Sequence, residues 1–379
     1  MIERKEMRVL HISKYYYPYV GGVENICKYL VDGMPQHQMA VVCFNEKKMD
    51  VVCEINGIKV YRVATWINIS RQALSLSYFT MLYKAIKGFR PDIIHFHWAN
   101  PFPAAVLLIM KPKNVKLIVH WHMDIIKQTK LYPLIKPIET ALVKRADKIV
   151  VTSPQYRDGS LPLQHFKDKV RIVPNAIDDV SFALRDGDDI QIQRIKERFN
   201  GRKIVFFIGR HIQYKGLTWL IEAEQYIKGT CVIVIAGSGP LTKELKAQCH
   251  SNRVHFVGRL SDDELRWYHY AASIFAFPSI TKNEAFGVAL AEAMYCYTPA
   301  VTFTIKGSGV NWVNLNGETG IEVPNRDCKA FGEAIDRLLK DDDLRQKYAE
   351  AAHQRVAEHF TIPKMVEKMN EVYNEICNQ

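Results

Sequence analysis

Residues 273–294 read Ser273-Ile-Phe-Ala-Phe-Pro278-Ser-Ile-Thr-Lys-Asn-Glu284-Ala-Phe-Gly287-Val-Ala-Leu-Ala-Glu292-Ala-Met294. The stretch opens as a short, wholly apolar strand, of the kind buried in a parallel sheet. From Phe286 onward the residues are good helix formers with no proline. Glu284 is therefore expected in the loop or first turn. Glu292 is expected near the second turn, roughly 9 Å further along the axis at about 1.5 Å per residue. Gly287 leaves the backbone open where the helix begins, and the uncommitted N–H groups there favour an anion. The layout suits a phosphorylated ligand, with phosphate at the helix tip and a carboxylate for hydroxyls on either side. Two glutamates at arbitrary spacing are ordinarily solvated, so the flanking sequence has to decide.

The flanks repeat the pattern of strand, loop and helix. The second half restarts as Lys203-Ile-Val-Phe-Phe-Ile-Gly209-Arg210, followed by His211-Ile-Gln-Tyr-Lys215-Gly216 and a helix predicted over 217–227. Arg210 and Lys215 thus share a loop after a strand, where two cations could neutralise a departing nucleoside diphosphate. Further strands are predicted at 231–236, ending in Gly237-Ser-Gly239, at 254–257, ending in Gly258-Arg259-Leu260, at 274–277 and at 300–303. A helical tail over 327–379 is broken near Phe360-Thr-Ile-Pro363, and Asp341-Asp-Asp343 reads as a helix N-terminus. In the first half, Arg8–Ser13 reads as a strand. It leads through Lys14-Tyr-Tyr-Tyr-Pro-Tyr-Val-Gly21-Gly22-Val-Glu24 into an amphipathic helix at 25–34, a phosphate-approach turn. Strand-like runs follow at 40–44, 58–63, 92–97, 115–120, 148–152 and 170–173. Alternation of this kind predicts an α/β protein with doubly wound parallel sheets, and 379 residues call for two domains. Residues 179–201, acidic and polar, are predicted to link them.

Asn283-Glu284-Ala-Phe-Gly-x-x-x-x-Glu292-Ala-Met resembles the E-x7-E element of family 4 retaining glycosyltransferases, which have the GT-B fold. Gly209-Arg210-x-x-x-x-Lys215-Gly216, Gly21-Gly22-x-Glu24 and Pro174-Asn-Ala-Ile-Asp178 resemble further elements of that family, so the resemblance covers nearly the whole chain. It implies two Rossmann-like domains facing a cleft. These are an acceptor-binding domain at 1–179, a nucleotide-sugar-binding domain at 180–362, and a last helix at 363–379 returning to the first. It implies that Glu284 contacts the donor sugar and Glu292 the ribose. Backbone at Ala285, Phe286, Gly287 and Val288 would meet sugar and phosphate. Gly21, Gly22, Arg210 and Lys215 would lie at the diphosphate. Gly237 would join the donor site, and Gly258, Arg259 and Leu260 would meet the nucleobase. Leu117-Ile-Val-His-Trp-His122-Met-Asp124-Ile resembles the segment after the fifth strand, with His122 facing the sugar 6-hydroxyl or phosphate and Asp124 in the acceptor cleft. His122, Glu284, Arg210 and Lys215 are the catalytic candidates; no residue stands out as a covalent nucleophile.

Two histidine pairs, His95-Phe-His97 and His120-Trp-His122, each place both rings on one strand face. Four imidazoles on adjacent strand ends could hold zinc or iron, but no cysteine or carboxylate completes an obvious set, and with Arg210, Lys215 and helix amides supplying the positive field no metal and no cofactor is expected. His95 and His120 are read as satisfied buried histidines. Asp186-Gly-Asp188 mimics a metal-binding D-x-D but has no strand before it, and is read as solvated acid.

Charge is uneven: residues 1–180 hold 26 Lys/Arg against 15 Asp/Glu, a net of +11, while 181–379 hold 25 of each. A half so basic attracts an anionic partner. Arg71, Tyr78, Phe79, Tyr83, Lys84, Lys87 and Arg90, and Lys127, Lys130, Tyr132, Lys136, Lys144, Arg145 and Lys148, interleave cations with aromatics as an anionic bilayer surface would require. There is no apolar run of about 18 residues for a spanning helix, no signal-peptide core after Met1, and none of the eight cysteines forms a C-x-x-C pair. The expectation is a cytoplasmic enzyme, peripheral on the inner membrane, with no nucleic-acid partner. His122-Met-Asp-Ile and Gly307-Ser-Gly-Val-Asn-Trp-Val-Asn-x-x-Gly-Glu-Thr-Gly resemble segments of bacterial O-antigen and capsule transferases, several of them mannosyltransferases, and that resemblance implies transfer of a hexose from a nucleotide-diphospho-sugar to a lipid-linked oligosaccharide of bacterial surface polysaccharide. An α-mannosyl group from GDP-mannose comes first and a UDP-hexose or UDP-N-acetylhexosamine second. A nucleotide-sugar epimerase and a non-enzymatic basic binding protein are the rival classes.

Overall fold

The computed structural model describes residues 6–19, 21–69, 72–125 and 132–377. Arg71, Lys127 and Lys130 of the basic surface lie outside them. The chain divides into two compact units: Met1–Pro174 with Met365–Gln379, and Asn175–Lys364. The sequence reading had placed these divisions at 179/180 and 362/363.

The first unit carries strands β1 (Arg8–Ile12), β2 (Gln38–Phe44), β3 (Val51–Ile55), β4 (Ile58–Val63), β5 (Ile67–Ile69), β6 (Gln72–Leu74), β7 (Ile93–Trp98), β8 (Lys116–Trp121), β9 (Lys148–Val151) and β10 (Val170–Ile172). Eight of them form one sheet in the order β10-β9-β8-β7-β1-β2-β4-β3, and β5 and β6 pair separately. All neighbours in the large sheet run parallel except β3 against β4. The parallel strands β1, β7, β8 and β9 are buried on both faces, which is why they read as apolar runs rather than alternating ones. β3 alternates between exposed and half-buried residues at the sheet edge, and that weak pattern left it unpredicted. The helix Ile362–Cys377 places Met365, Met369, Tyr373 and Ile376 in the interior of this unit. Glu375 anchors it, accepting from Lys148 Nζ at 2.6 Å and Arg171 Nε at 2.8 Å. Arg171, then Lys148, pull the Glu375 carboxyl down to about 2.

The second unit carries β11 (Lys203–Ile208), β12 (Cys231–Ala236), β13 (Val254–Gly258), β14 (Ile274–Phe277), β15 (Ala300–Phe303) and β16 (Gly320–Val323). Their order is β13-β12-β11-β14-β15-β16, all parallel. Strand order reverses between β11 and β14. In a doubly wound sheet the loops leaving such neighbouring strands diverge and open the crevice where ligands bind.

Residues 179–201 are not a solvated linker. They form helices Asp179–Phe182 and Asp188–Arg198 within the second unit. Asp188 is correspondingly not a solvated acid. It is buried and accepts from Arg266 Nε at 2.9 Å and Nη2 at 3.1 Å, and Arg266 above all holds its carboxyl down at about 2. The helix predicted over 217–227 ends at Ala223 and tightens into a 3-10 turn at Glu224–Tyr226. The tail breaks twice, giving Cys328–Lys340, Asp342–His359 and Ile362–Cys377. Asp341 makes the first break by capping the second helix, accepting from Leu344 N–H at 2.9 Å.

Candidate active site

The loops leaving β11 and β14 meet at the switch point. Gly216 sits at φ +67°, and a Cβ there would stand 1.9 Å from the Pro278 carbonyl oxygen, so the two backbones touch only because the residue is glycine. Ile280 N–H bonds Tyr214 O at 2.9 Å and fixes the same contact. It brings the Lys215 ammonium against the Glu284 carboxylate in an ion pair that is nearly enclosed. Ser279 Oγ donates to the same carboxylate at 3.2 Å, and the Phe277 ring lies 5.2 Å beneath the ammonium. The expected sugar ligand and the expected phosphate ligand are therefore partners of one another. Arg210 is exposed, with no side-chain hydrogen bond or ion pair among the described residues.

Gly287, at φ +91°, caps the helix Val288–Tyr295 in a conformation that L side chains rarely adopt. Glu284 thus lies in the loop before this helix and Glu292 in its second turn. Phe286 is buried against Phe360, and Gly309 N–H bonds Ala285 O at 2.9 Å, so the loop 306–310 braces the turn from behind. Glu292 is half-buried. Desolvation pushes its carboxyl up to about 7, while Lys215 draws it down and Asp262 pushes it up. Close to neutrality it can either accept or donate a hydrogen bond, which suits a diol. The loops after β11, β12 and β13 are bonded in series. Gly209 N–H reaches Ala236 O at 3.3 Å, His211 N–H reaches Ser238 O at 3.1 Å, and Gly237 N–H reaches Gly258 O at 2.6 Å. Arg259 continues the series through Ser238 Oγ at 3.0 Å, its side chain exposed, and Leu260 packs on the core. Gly237, Gly258, Arg259 and Leu260 therefore share one rim with Arg210.

In the first unit, Gly21 caps the helix Gly22–Asp32 and Gly22 is exposed. A Cβ on Gly21 would sit 2.3 Å from the Glu24 carboxylate oxygen, so a side chain there would have to push that carboxylate aside. Asp124 is buried, its Oδ1 accepting from Trp121 Nε1 at 2.9 Å and Ser160 Oγ at 2.7 Å, so that oxygen braces the turn after β8. His122, just beyond β8, bonds His97 at 2.9 Å. The four histidines singled out by sequence are joined by two residues that sequence reasoning missed, His11 and Cys27. His11 lies beside His95 in register between β1 and β7, a pairing no local pattern announces. His120 is not satisfied: its Nε2 is buried without a partner, because the ring bonds His95 through Nδ1 alone.

The expected basic-aromatic surface is partly internal. Tyr78 packs in the core, Lys148 is buried against Glu375, and Arg145 donates to the Lys111 carbonyl at 2.8 Å. Tyr83, Lys84, Lys87, Arg90, Lys136 and Lys144 are exposed. No helix among the described residues is long and apolar enough to cross a membrane.

Two Rossmann-like units, the second with cations and carboxylates gathered at its switch point, define a glycosyltransferase of the GT-B architecture. Residues 20–180 match the family described as Glycosyltransferase Family 4, and residues 188–355 match Glycosyl transferases group 1. The chain therefore carries a Family 4 glycosyltransferase domain in its first half and a group 1 glycosyltransferase domain in its second. It is 28% identical to the O-antigen chain mannosyltransferase C of Escherichia coli, over 98% of this chain and 99% of that protein. It is 29% identical to the D-rhamnosyltransferase WbpZ of Pseudomonas aeruginosa, over 94% of this chain and 92% of that one. A crystal structure of Anabaena HepE in complex with UDP and glucose shares the fold at a TM-score of 0.77, with 17% identity over 97% of this chain and all of that one.

Proposed function

We propose that the protein transfers a mannosyl group from GDP-mannose, with retention and without a metal ion, to a lipid-linked oligosaccharide of a bacterial O-antigen or related surface polysaccharide. The observation that carries the reading is the enclosed Lys215–Glu284 pair beside Arg210 at the switch point of the second sheet. Charge develops on the leaving diphosphate as the glycosidic bond breaks, and preorganised cations there lower the barrier without rearrangement. Lys215 and Arg210 would hold the diphosphate together with the N–H groups at Phe286–Val288. Glu284, released from Lys215 as phosphate arrives, would take sugar hydroxyls, and Glu292 the ribose diol. Gly21, Gly22 and His122 of the first unit are assigned to phosphate and sugar, and Asp124 to shaping the acceptor side. The mannosyl assignment is supported by the relative that is an O-antigen chain mannosyltransferase. Lys84, Lys87, Arg90, Lys136 and Lys144 would draw the first unit to an anionic inner-membrane surface from the cytoplasmic side.

A second reading rests on the D-rhamnosyltransferase relative: a donor carrying the 6-deoxy form of mannose, which offers no 6-hydroxyl. Thermal melts with GDP, UDP, ADP and dTDP, without metal, test the donor class. A nucleotide at 100 times its dissociation constant adds about 2.7 kcal/mol, and for a unit of this size each kcal/mol raises Tm by roughly 2–4 °C. GDP alone should shift the melt. A shift with UDP alone would refute the mannosyl reading, and no shift with any nucleotide would refute the site.

A further inference from the structure

Five histidines and one tyrosine form an unbroken line of hydrogen bonds inside the first unit. His95 and His97 share a face of β7, His120 and His122 a face at the end of β8, and His11 is in register with His95. The terminal helix lays Tyr373 on the same face. From the inner end, His120 Nδ1 meets His95 Nε2 at 3.2 Å, and His95 Nδ1 meets the Tyr373 hydroxyl at 2.6 Å. That hydroxyl meets His11 Nε2 at 3.4 Å, His11 Nδ1 meets His97 Nε2 at 3.1 Å, and His97 Nδ1 meets His122 Nε2 at 2.9 Å. All six groups are buried, and desolvation holds the imidazoles neutral: His11 and His122 are pushed down to about 3, the other three well below their ordinary range.

Counting hydrogens fixes what such a line can be. Five links need five hydrogens, and five neutral imidazoles with one phenol carry six. The sixth sits at one end. If it sits on His122 Nδ1, every histidine in the line is the Nδ1–H tautomer. If it sits on His120 Nε2, every one is the Nε2–H tautomer. No mixed arrangement keeps all five bonds. The inner end decides between them, because His120 Nε2 is buried with no partner. A hydrogen placed there would be an orphaned donor, the rarer and costlier defect, whereas a bare nitrogen leaves only a lone pair unused.

We propose that the line His120–His95–Tyr373–His11–His97 locks His122 as the Nδ1–H tautomer, so that His122 offers its ligand a hydrogen-bond donor and not a base. Tyr373, His11 and His97 are positioning residues that act through His122. The role for a ligand rests on the reading above that His122 meets the sugar or its phosphate; the lock does not. A 6-hydroxyl or a phosphate oxygen would accept from this N–H. The line cannot carry a proton away, since its inner end has no exit. Some of the same atoms, His11 with Cys27 and His97, or His95 with His97 and His120, lie close enough for a metal. A metal needs bare nitrogens converging on one point. Here His95, His11 and His97, at least one of which is in each set, spend both nitrogens on two different neighbours.

The test is long-range 1H–15N spectroscopy of the full-length protein labelled in histidine, without ligand and after metal removal. Five buried histidines should all carry hydrogen on Nδ1 and none on Nε2, unchanged between pH 6.5 and 8. Any one of the five in the Nε2–H form overturns the proposal, as does one equivalent of zinc bound with displacement of these signals. Tyr373→Phe is the second arm. It should move the ring nitrogens of His122, three links away, and lower kcat about fivefold, the scale of one net hydrogen bond, with KM for the nucleotide-sugar unchanged. A lower Tm with His122 undisturbed would reduce Tyr373 to packing and overturn the lock. If the five-fold Nδ1–H pattern appears and His122→Ala still transfers sugar at the wild-type rate, the lock stands and the contact with sugar falls.

Discussion

Lowering the pH from 7 to 5.5 should selectively unlatch the first unit. Burial is the main cause that keeps His11, His95, His97, His120 and His122 neutral, and like-charge neighbours reinforce it for His95, His97 and His120. The other groups facing them, Cys27 and Tyr373, are pushed up by burial and stay uncharged throughout. In the unfolded chain each histidine titrates near 6.5. Below 6.5 the unfolded chain binds protons that the folded unit refuses, so stability falls with falling pH. Each such histidine costs little at pH 7 and a little over 1 kcal/mol more at pH 5.5, a loss of about 6 kcal/mol for the five. If the cluster accepts one shared proton, the loss is about 5 kcal/mol by the same linkage. Domain stabilities run from about 5 to 15 kcal/mol, so the effect is large. Asp188 and Glu375, both held down at about 2, remain ionised in this window and contribute no slope. Native-state hydrogen exchange of β1, β7 and β8 amides at both pH values reads this unit separately. A change in opening free energy below about 1 kcal/mol would refute the argument that these imidazoles are buried neutral.

The other expectations concern the second unit. Asp188→Ala leaves Arg266, whose side chain is 3% exposed, with only the exposed Asp263 carboxylate at 2.8 Å and the Ser181 carbonyl at 3.2 Å, and should cost about 1.5–3 kcal/mol in urea unfolding. Gly216→Ala places a Cβ 1.9 Å from the Pro278 carbonyl; the loop must move, separating Lys215 from Glu284, and both melting temperature and nucleotide affinity should drop. Glu292, pushed up to about 7 by burial, is half protonated at neutral pH. If the ionised form accepts both ribose hydroxyls, nucleotide affinity should rise from pH 6 to 8, approaching tenfold per pH unit below 7, and Glu292→Gln should flatten that rise in calorimetric titrations.

The central stretch was legible because two periodicities change within it, an apolar strand giving way at Gly287 to helix formers, and the structure begins the helix at Val288. The doubly wound order of the second sheet followed from regular alternation of strand and helix. What sequence did not reveal was contact across the fold. Asp188 looked solvated because its partner Arg266 is 78 residues away. Tyr78 and Lys148 looked like surface residues because composition does not say which side of a helix or strand faces inward. His11 and Tyr373 gave no signal, since their meeting depends on register between β1 and β7 and on where the last helix lands. The pairing of Lys215 with Glu284 was hidden for the same reason, although both had been singled out.

Release of nucleoside diphosphate coupled to sugar transfer, compared between wild type and Lys215→Ala, tests the central claim most directly. With GDP-mannose and a lipid-linked acceptor, the wild type should release one GDP per sugar transferred. The variant should be about 10²–10³-fold slower, the loss expected when one charge-stabilising donor is removed from a transition state. Equal rates in the two proteins, or no diphosphate released from either GDP- or UDP-sugars, would contradict the account.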